Sequence, residues 1–187
     1  MPHDPALEAH EHAEHASHAA HAEDPFVSRV AITVAVLAVL AAAATSLETI
    51  EGGLAITASS ESVLAQDKAT DAWNEYQADS LKKHLYGIAA KEGGPHAAEF
   101  AAESKDQSEK QDPVRERAKE DEAESAKLQA ASGEHERRHH WLTGAATLVE
   151  IGIALSTVAI ITHRRSFWAA ALGLGAVGLA LSIVAFV

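Results

Sequence analysis

The residues best suited to chemistry lie at the two ends of the polarity scale, in a histidine-rich leader and in one acid set among apolar residues. His10, His12, His15, His18 and His21 crowd the first 25 residues, the last four spaced three apart, with Glu8, Glu11 and Glu14 interleaved. On a helix, i,i+3 neighbours share a side, so consecutive imidazoles could chelate Zn²⁺, Ni²⁺, Co²⁺ or Cu²⁺ with carboxylate help. Imidazole also titrates between about pH 5 and 8, so mild acidification would take this leader from acidic to nearly neutral. His-rich tracts bind metal by composition alone, and a flexible leader loses conformational entropy on closing around an ion, which keeps such binding weak. The competing reading is a solvated, disordered low-complexity leader that binds nothing.

Glu150 is the sharpest single residue. It stands ten positions into residues 141–161, which are otherwise uncharged. A carboxylate at mid-bilayer costs at least ~2.5 kcal/mol on insertion scales, so it is a functional candidate by default. Thr147, three residues back, and Thr143, one turn further, are its expected hydrogen-bond partners, and no apolar block contains a Lys or Arg to pair with it. It would serve a proton or cation relay, or a ring around the axis of an oligomer. Alternatively it is a protonated acid bonded across helices, as Gln would be. Glu48 and Glu51, three apart on one helix face, could hold a divalent cation or a lipid headgroup, although carboxylates at a helix exit are usually just hydrated. The run from His135 to Trp141 reads as an interfacial belt, its cations meeting headgroups and Trp141 anchoring the helix. Within that run His135 and His139, at i,i+4, form a second metal candidate. No phosphate loop, nucleophile elbow or dinucleotide fingerprint occurs, and the expectation is a protein that is not an enzyme and carries no resident cofactor.

Composition sets the elements that must position these groups. The chain has 187 residues, 27 Asp+Glu against 15 Lys+Arg, and no Cys. A net charge of −12 argues against nucleic acid, and the missing Cys excludes a disulfide scaffold, thiolate clusters and a thiol nucleophile. Mean hydropathy of −0.07 hides segregation. Nearly all apolar weight lies in residues 30–47, 141–161 and 167–187, each close to the roughly 20 residues that cross a bilayer core of about 30 Å. A chain this short has nothing else to cover three such helices, so they read as membrane spans. Asp24-Pro25 is an N-cap with Pro at the first helical position, and the acidic stretch before it is unlike a signal peptide. Ala171/Gly175 and Gly178/Ser182 in the last span are small-xxx-small pairs that permit close helix approach, within the subunit or between subunits.

Between the first two spans, Ala, Glu, Lys, Gln and Leu favour helix and no strand alternation appears. Apolar positions recur at three or four in two runs, Ala65, Ala69, Ala72 and Tyr76, and Leu81, Leu85 and Ile88, while the second arm offers only Val114, Ala118, Ala123, Ala126 and Leu128 among dense charges. Gly93-Gly94-Pro95 is a clear breaker, Gly52-Gly53 a candidate hinge, and Asp112-Pro113 a second cap-and-Pro start. Asp79/Lys83, Asp106/Lys110 and Arg117/Asp121 are expected i,i+4 pairs. The predicted fold is an all-α membrane protein with three transmembrane helices and a long extramembrane antiparallel helical, coiled-coil-like hairpin between spans one and two. Its expected order is a His/Glu-rich tail (1–25), span one (26–49), the hairpin (50–140, breaker at 93–95), span two (141–162), a short basic turn (163–166) and span three (167–187).

The stretch SSESVLAQDKATDAWNEYQADSLKKHLY, after a span ending SLETIE, resembles bacterial membrane proteins of domain-of-unknown-function family 4337, with Trp73, Tyr76 and Gln77 as the core of the motif. The His-rich leader, a second span of the VEIGIALSTVAIIT type and a Gly-rich last span after HRRSFW are similar too. Glu150 departs from the uncharged polar residue expected there, and Asp79 from an expected Lys. The resemblance implies an inner-membrane protein and transfers no mechanism. Arg29, Arg164 and Arg165 share one side of the membrane, so the positive-inside rule predicts a cytoplasmic N-terminus and a periplasmic hairpin. The function expected is a homo-oligomeric coiled-coil scaffold or accessory subunit, in contact with lipid and with itself through hairpin and spans, or with another protein. The alternatives are a small cation or proton channel lined by Glu150 and a divalent-metal sensor using the leader.

Overall fold

The computed structural model describes residues 24–187. Among them are three α-helices and no strand: α1 (Pro25–Glu92), α2 (Ala97–Thr162) and α3 (Arg165–Val184). Each contains a stretch long and apolar enough to cross a membrane. The start of α1 follows from Asp24, whose carboxylate accepts the Phe26 N–H at 2.8 Å while its carbonyl accepts that of Ser28. The carboxylate thereby meets one of the N–H groups that a helix start leaves unpaired, the carbonyl takes the first helical bond, and Pro25 has no N–H to lose. α1 stops where Gly93 and Gly94 take φ of +83° and +107°, which a side chain would resist. Arg165 and Ser166 belong to α3, so the turn after α2 is only His163 and Arg164, shorter than the expected 163–166.

Two expected interruptions are absent. α1 passes through Gly52-Gly53 without a break, and α2 passes through Pro113. Pro113 removes one N–H, but it lies on the exposed side, where water can satisfy the freed carbonyl.

By packing the chain divides into two compact units. One comprises the described residues up to Ala55 together with Gly133–Val187. Its core is Ala31, Val34, Leu37, Ala38 and Ala41 of α1 against Val149 and Ile153 of α2. α3 closes on both through small residues: Ala171, Gly175 and Gly178 are buried. A Cβ on Gly178 would stand 2.7 Å from Val149 Cγ2 and 2.8 Å from the Ala145 carbonyl, and one on Gly175 would run into Leu37 Cδ2. Ser182 is half-buried and donates to Gly178 O at 3.1 Å. The small residues of the last span therefore serve packing inside one subunit. At one end, Trp168 Nε1 donates to Thr33 Oγ1 at 3.0 Å and meets Phe26 edge-on.

The other unit is Ile56–Ser132. On α1 the seam runs through Ala58, Ser62, Ala65, Ala69, Ala72, Tyr76, Asp79, Lys83, Tyr86 and Ala90, alternating steps of four and three, with Trp73, Ser80, Gly87 and Ala89 half-buried beside it. α2 answers with Phe100, Ser104, Gln107, Gln111, Val114, Ala118, Asp121, Ser125 and Leu128 in the same rhythm. Contacts between the two seams rise in number on one helix as they fall on the other. Ser62 and Ser125 each donate to the other's carbonyl at 3.0 Å, Arg117 pairs with Glu75, Ser104 Oγ donates to Lys83 O, and Tyr86 stacks on Phe100. Methyl and hydroxymethyl groups let the backbones approach closely enough for those serine bonds.

This register corrects the predicted one. Leu81, Leu85 and Ile88 are 62%, 58% and 57% exposed, and Ala123 and Ala126 are exposed too. The seven-residue repeat continues through polar Asp79, Lys83 and Ser125, because backbone geometry fixes the seam and a larger neighbour one step off cannot enter it. Ion pairing shifts likewise. Asp79 meets Lys82 instead of Lys83, and Arg117 meets Glu75 across the helices instead of Asp121, whereas Lys110 meets Asp106 as its spacing predicts.

Candidate functional site

The most elaborate polar cluster of the described residues sits where α1 and α2 leave the apolar unit. α1 supplies Glu48, Glu51 and Gly52; α2 supplies His135, Arg138, His139 and Thr143, one helical face at steps of three, one and four. Glu51 is buried, 7% exposed. His135 Nδ1 lies 2.6 Å from its Oε2, and Arg138 Nη1 lies 3.9 Å from Oε1. Arg138 also contacts Glu134 at 3.3 Å and covers the Phe186 ring at 5.7 Å, which ties the end of the chain to the cluster. Arg137 donates twice to Glu134, at 2.8 and 3.2 Å. Those bonds hold the Glu134 carboxyl below its usual range, with the charge of Arg138 adding to them, and Glu134 in turn raises Arg137.

Glu48 turns the other way. Thr143 Oγ1 is 2.6 Å from Glu48 Oε1 and 2.9 Å from His139 O. His139 Nδ1 donates to the Glu48 carbonyl at 3.1 Å, and the ring fits because residue 52 is Gly: a Cβ there would stand 3.2 Å from Nδ1. The two acids are thus not the simple hydrated pair expected at a helix exit. Each is engaged by a different part of α2, and His135, Arg138 and His139 of the belt join the two helices. What signalled it was the recurrence of His135, Arg138 and His139 on one face opposite Glu48, Glu51 and Gly52.

His135-Glu136-Arg137-Arg138-His139 spells H-E-x-x-H, the helical signature of zinc proteases, so the expectation that no such motif accompanies the His135/His139 pair is corrected by the sequence itself. Both Nδ1 atoms are held by oxygen acceptors from α1, as in the outer shell of many metal sites. Yet among the described residues no group of three His, Asp or Glu gathers to complete a ligand set. What the geometry provides is a lock between α1 and α2, made by His135 and Arg138 on Glu51.

Glu150 is exposed on the outer face of α2, and its expected partners are committed elsewhere. Thr147 Oγ1 donates to Thr143 O at 2.8 Å, and Thr143 binds Glu48 and its own helix. Among the described residues nothing hydrogen-bonds Glu150. The physical reason is that Thr in a helix bonds most easily to the carbonyl four residues back. In the other unit, Trp73 Nε1 donates to Glu122 Oε1 at 2.9 Å and packs edge-on against Tyr76 at 5.7 Å, while Gln77 is exposed. The motif's aromatic pair therefore clasps α2. His10, His12, His15, His18 and His21 lie outside the described residues.

Residues 26–187 match the family model described as Domain of unknown function (DUF4337), and the chain belongs to that family. No curated protein and no solved structure matches it.

Proposed function

We propose that this family member is a membrane-anchored scaffold: a three-span bundle carrying a water-exposed antiparallel coiled-coil hairpin, assembled as a homo-oligomer and without catalytic activity of its own. The observation that carries the reading is where the large apolar side chains of Ile56–Ser132 lie. Its seam is mostly Ala, Ser and polar residues, with Tyr76, Tyr86, Phe100, Val114 and Leu128 among them, while Ile56, Val63, Leu64, Leu81, Leu85 and Ile88 are 55–71% exposed. A water-exposed helix that turns Leu and Ile outward carries surface suited to association. The mass of the intact complex in mild detergent, by native mass spectrometry, tests this: several copies are expected, and a strictly monomeric protein refutes it. For location we propose a bacterial inner membrane with the N-terminus inside. Support comes from Arg29, Arg164 and Arg165, which bear no ion pair among the described residues, whereas Arg137 and Arg138 opposite are paired with Glu134.

A second reading, passage of protons or cations along an axis lined by Glu150, draws on the exposure of that acid at mid-span. Ion flux in proteoliposomes that persists unchanged in Glu150→Gln refutes it.

A further inference from the structure

The outward faces of the three spans differ in kind. α1 turns out Ile32, Val36 and Val39, and α3 turns out Leu172, Val177 and Ile183, as lipid requires. α2 turns out Thr143, Thr147, Glu150, Ala154, Thr157 and Ile161, all exposed and separated by steps of four and three. On a helix of 3.6 residues per turn these six form one straight stripe. The same span buries Leu142, Val149 and Ile153. Trp141, Ile151, Val158 and Ile161 of the same span are exposed as lipid requires, so what sets the stripe apart is the carboxylate and the threonine hydroxyls it carries among them.

We infer that this stripe is the face on which copies of the chain meet inside the bilayer, Glu150 of one copy bonding to the stripe of the next. The inference deepens the scaffold reading and rests on its self-assembly. Three observations select a second copy as the occupant. First, Glu150 has no partner among the described residues, and no described Lys, Arg or His reaches it from α1 or α3. Second, the hydroxyls of Thr147 and Thr157 already donate within their own helix, to Thr143 O and Ile153 O, while Thr143 is engaged by Glu48 of α1. What they present outward is acceptor lone pairs, and the carboxyl of Glu150, when it carries its proton, is the donor they lack. A face holding both halves of that bond is complementary to itself, which a symmetric contact demands. Third, Ala154 keeps the stripe thin at its middle, where helices must approach for interhelical bonds.

The chain contains no Cys, so single-cysteine cross-linking in native membranes tests the contact directly. Ala154→Cys is placed on the stripe, and Leu172→Cys on the exposed face of α3 at a comparable depth from the α2–α3 turn. Oxidation is expected to give a covalent dimer with Ala154→Cys at least fivefold more abundant than with Leu172→Cys. Adding Glu150→Gln, whose amide still donates and accepts, should leave that yield unchanged, whereas adding Glu150→Leu should cut it at least fivefold. Both substitutions lie on an exposed surface and leave the subunit core intact. Equal cross-linking at both cysteines, or at Leu172→Cys alone, in a protein whose intact mass is oligomeric overturns the stripe and leaves the scaffold standing. An intact mass of one chain overturns both. Undiminished cross-linking with Glu150→Leu removes Glu150 as the group that holds the contact.

Discussion

The closest test of the packing reads three glycines of one helix against each other. Gly178→Ala places a methyl 2.8 Å from the Ala145 carbonyl and 2.7 Å from Val149 Cγ2. The valine methyl can swing, but the carbonyl is backbone of α2 and cannot yield unless the helix moves. Bringing that contact to an ordinary distance needs roughly 0.5 Å of separation between α2 and α3, a gap that already forfeits about a quarter of the contact energy along the seam. Overpacking of this kind costs about 1–3 kcal/mol, against a gain of about 0.5–1 kcal/mol for replacing Gly by Ala in a helix. The net loss is therefore about 1–2 kcal/mol. Gly173→Ala meets nothing within 4 Å, so only the helix gain remains. Gly175→Ala falls between, since the obstacle is the flexible end of Leu37. At roughly 2–4 °C per kcal/mol for a chain of this size, Gly173→Ala and Gly178→Ala should melt about 5–10 °C apart in mild detergent, followed by far-UV circular dichroism. Gly178→Ala melting at or above the parent, or Gly173→Ala falling as far as Gly178→Ala, would refute the packing of α3 against α2.

The seam of the polar unit makes a paired prediction. Ala69→Leu, at a position with no exposure, should lower stability to urea by about 1–3 kcal/mol, whereas Leu81→Ala should leave it almost unchanged; the reverse ranking would restore the register in which Leu81 faces inward. Stability should also fall at both pH extremes. Glu134 and Glu116 are held below their ordinary value by hydrogen bonds and charge from Arg137 and Lys119, so their contribution is present at neutral pH and is lost below about pH 4. Lys110 is raised by Asp106, so its contribution is present at neutral pH and disappears only as alkaline pH passes its raised value. All are open to solvent, so the melting shifts should be small and shrink in high salt; salt-independent shifts would point to other groups. Finally, Zn²⁺ titrated calorimetrically into the full chain should bind through the leader. Replacing His10, His12, His15, His18 and His21 by Ala should abolish the heat, and an undiminished signal would relocate the site.

Helices and spans were legible because they rest on local physics: unbroken apolar runs, Asp24-Pro25 at a start, paired glycines at a stop. The seam was harder to read. Ranking positions by hydrophobicity favoured Leu81, Leu85 and Ile88, yet close approach selects by size and repeat, which admits Ser62 and Asp79 and leaves leucines outside. The lock at Glu48 and Glu51 was visible only as separate fragments, since its partners lie more than 80 residues away in sequence and depend on which face of α2 turns to α1. Pro113 and Gly52-Gly53 looked like breaks because each weakens an isolated helix; packed against a neighbour, a helix tolerates both.

Both units expose bulky apolar side chains, but the surroundings give that exposure opposite consequences. In lipid, outward Ile32, Val36 and Leu172 need no cover, so the bilayer supplies no drive to associate except at the polar stripe around Glu150. In water, Leu81, Leu85 and Ile88 expose apolar area that association would bury at about 25 cal/mol per Å². The two drives are separable by experiment. Replacing Leu81, Leu85 and Ile88 by Gln together should weaken assembly without altering cross-linking between spans in the copies that remain associated, whereas Glu150→Leu should do the opposite. Loss of both signals from either change would mean that one contact depends on the other.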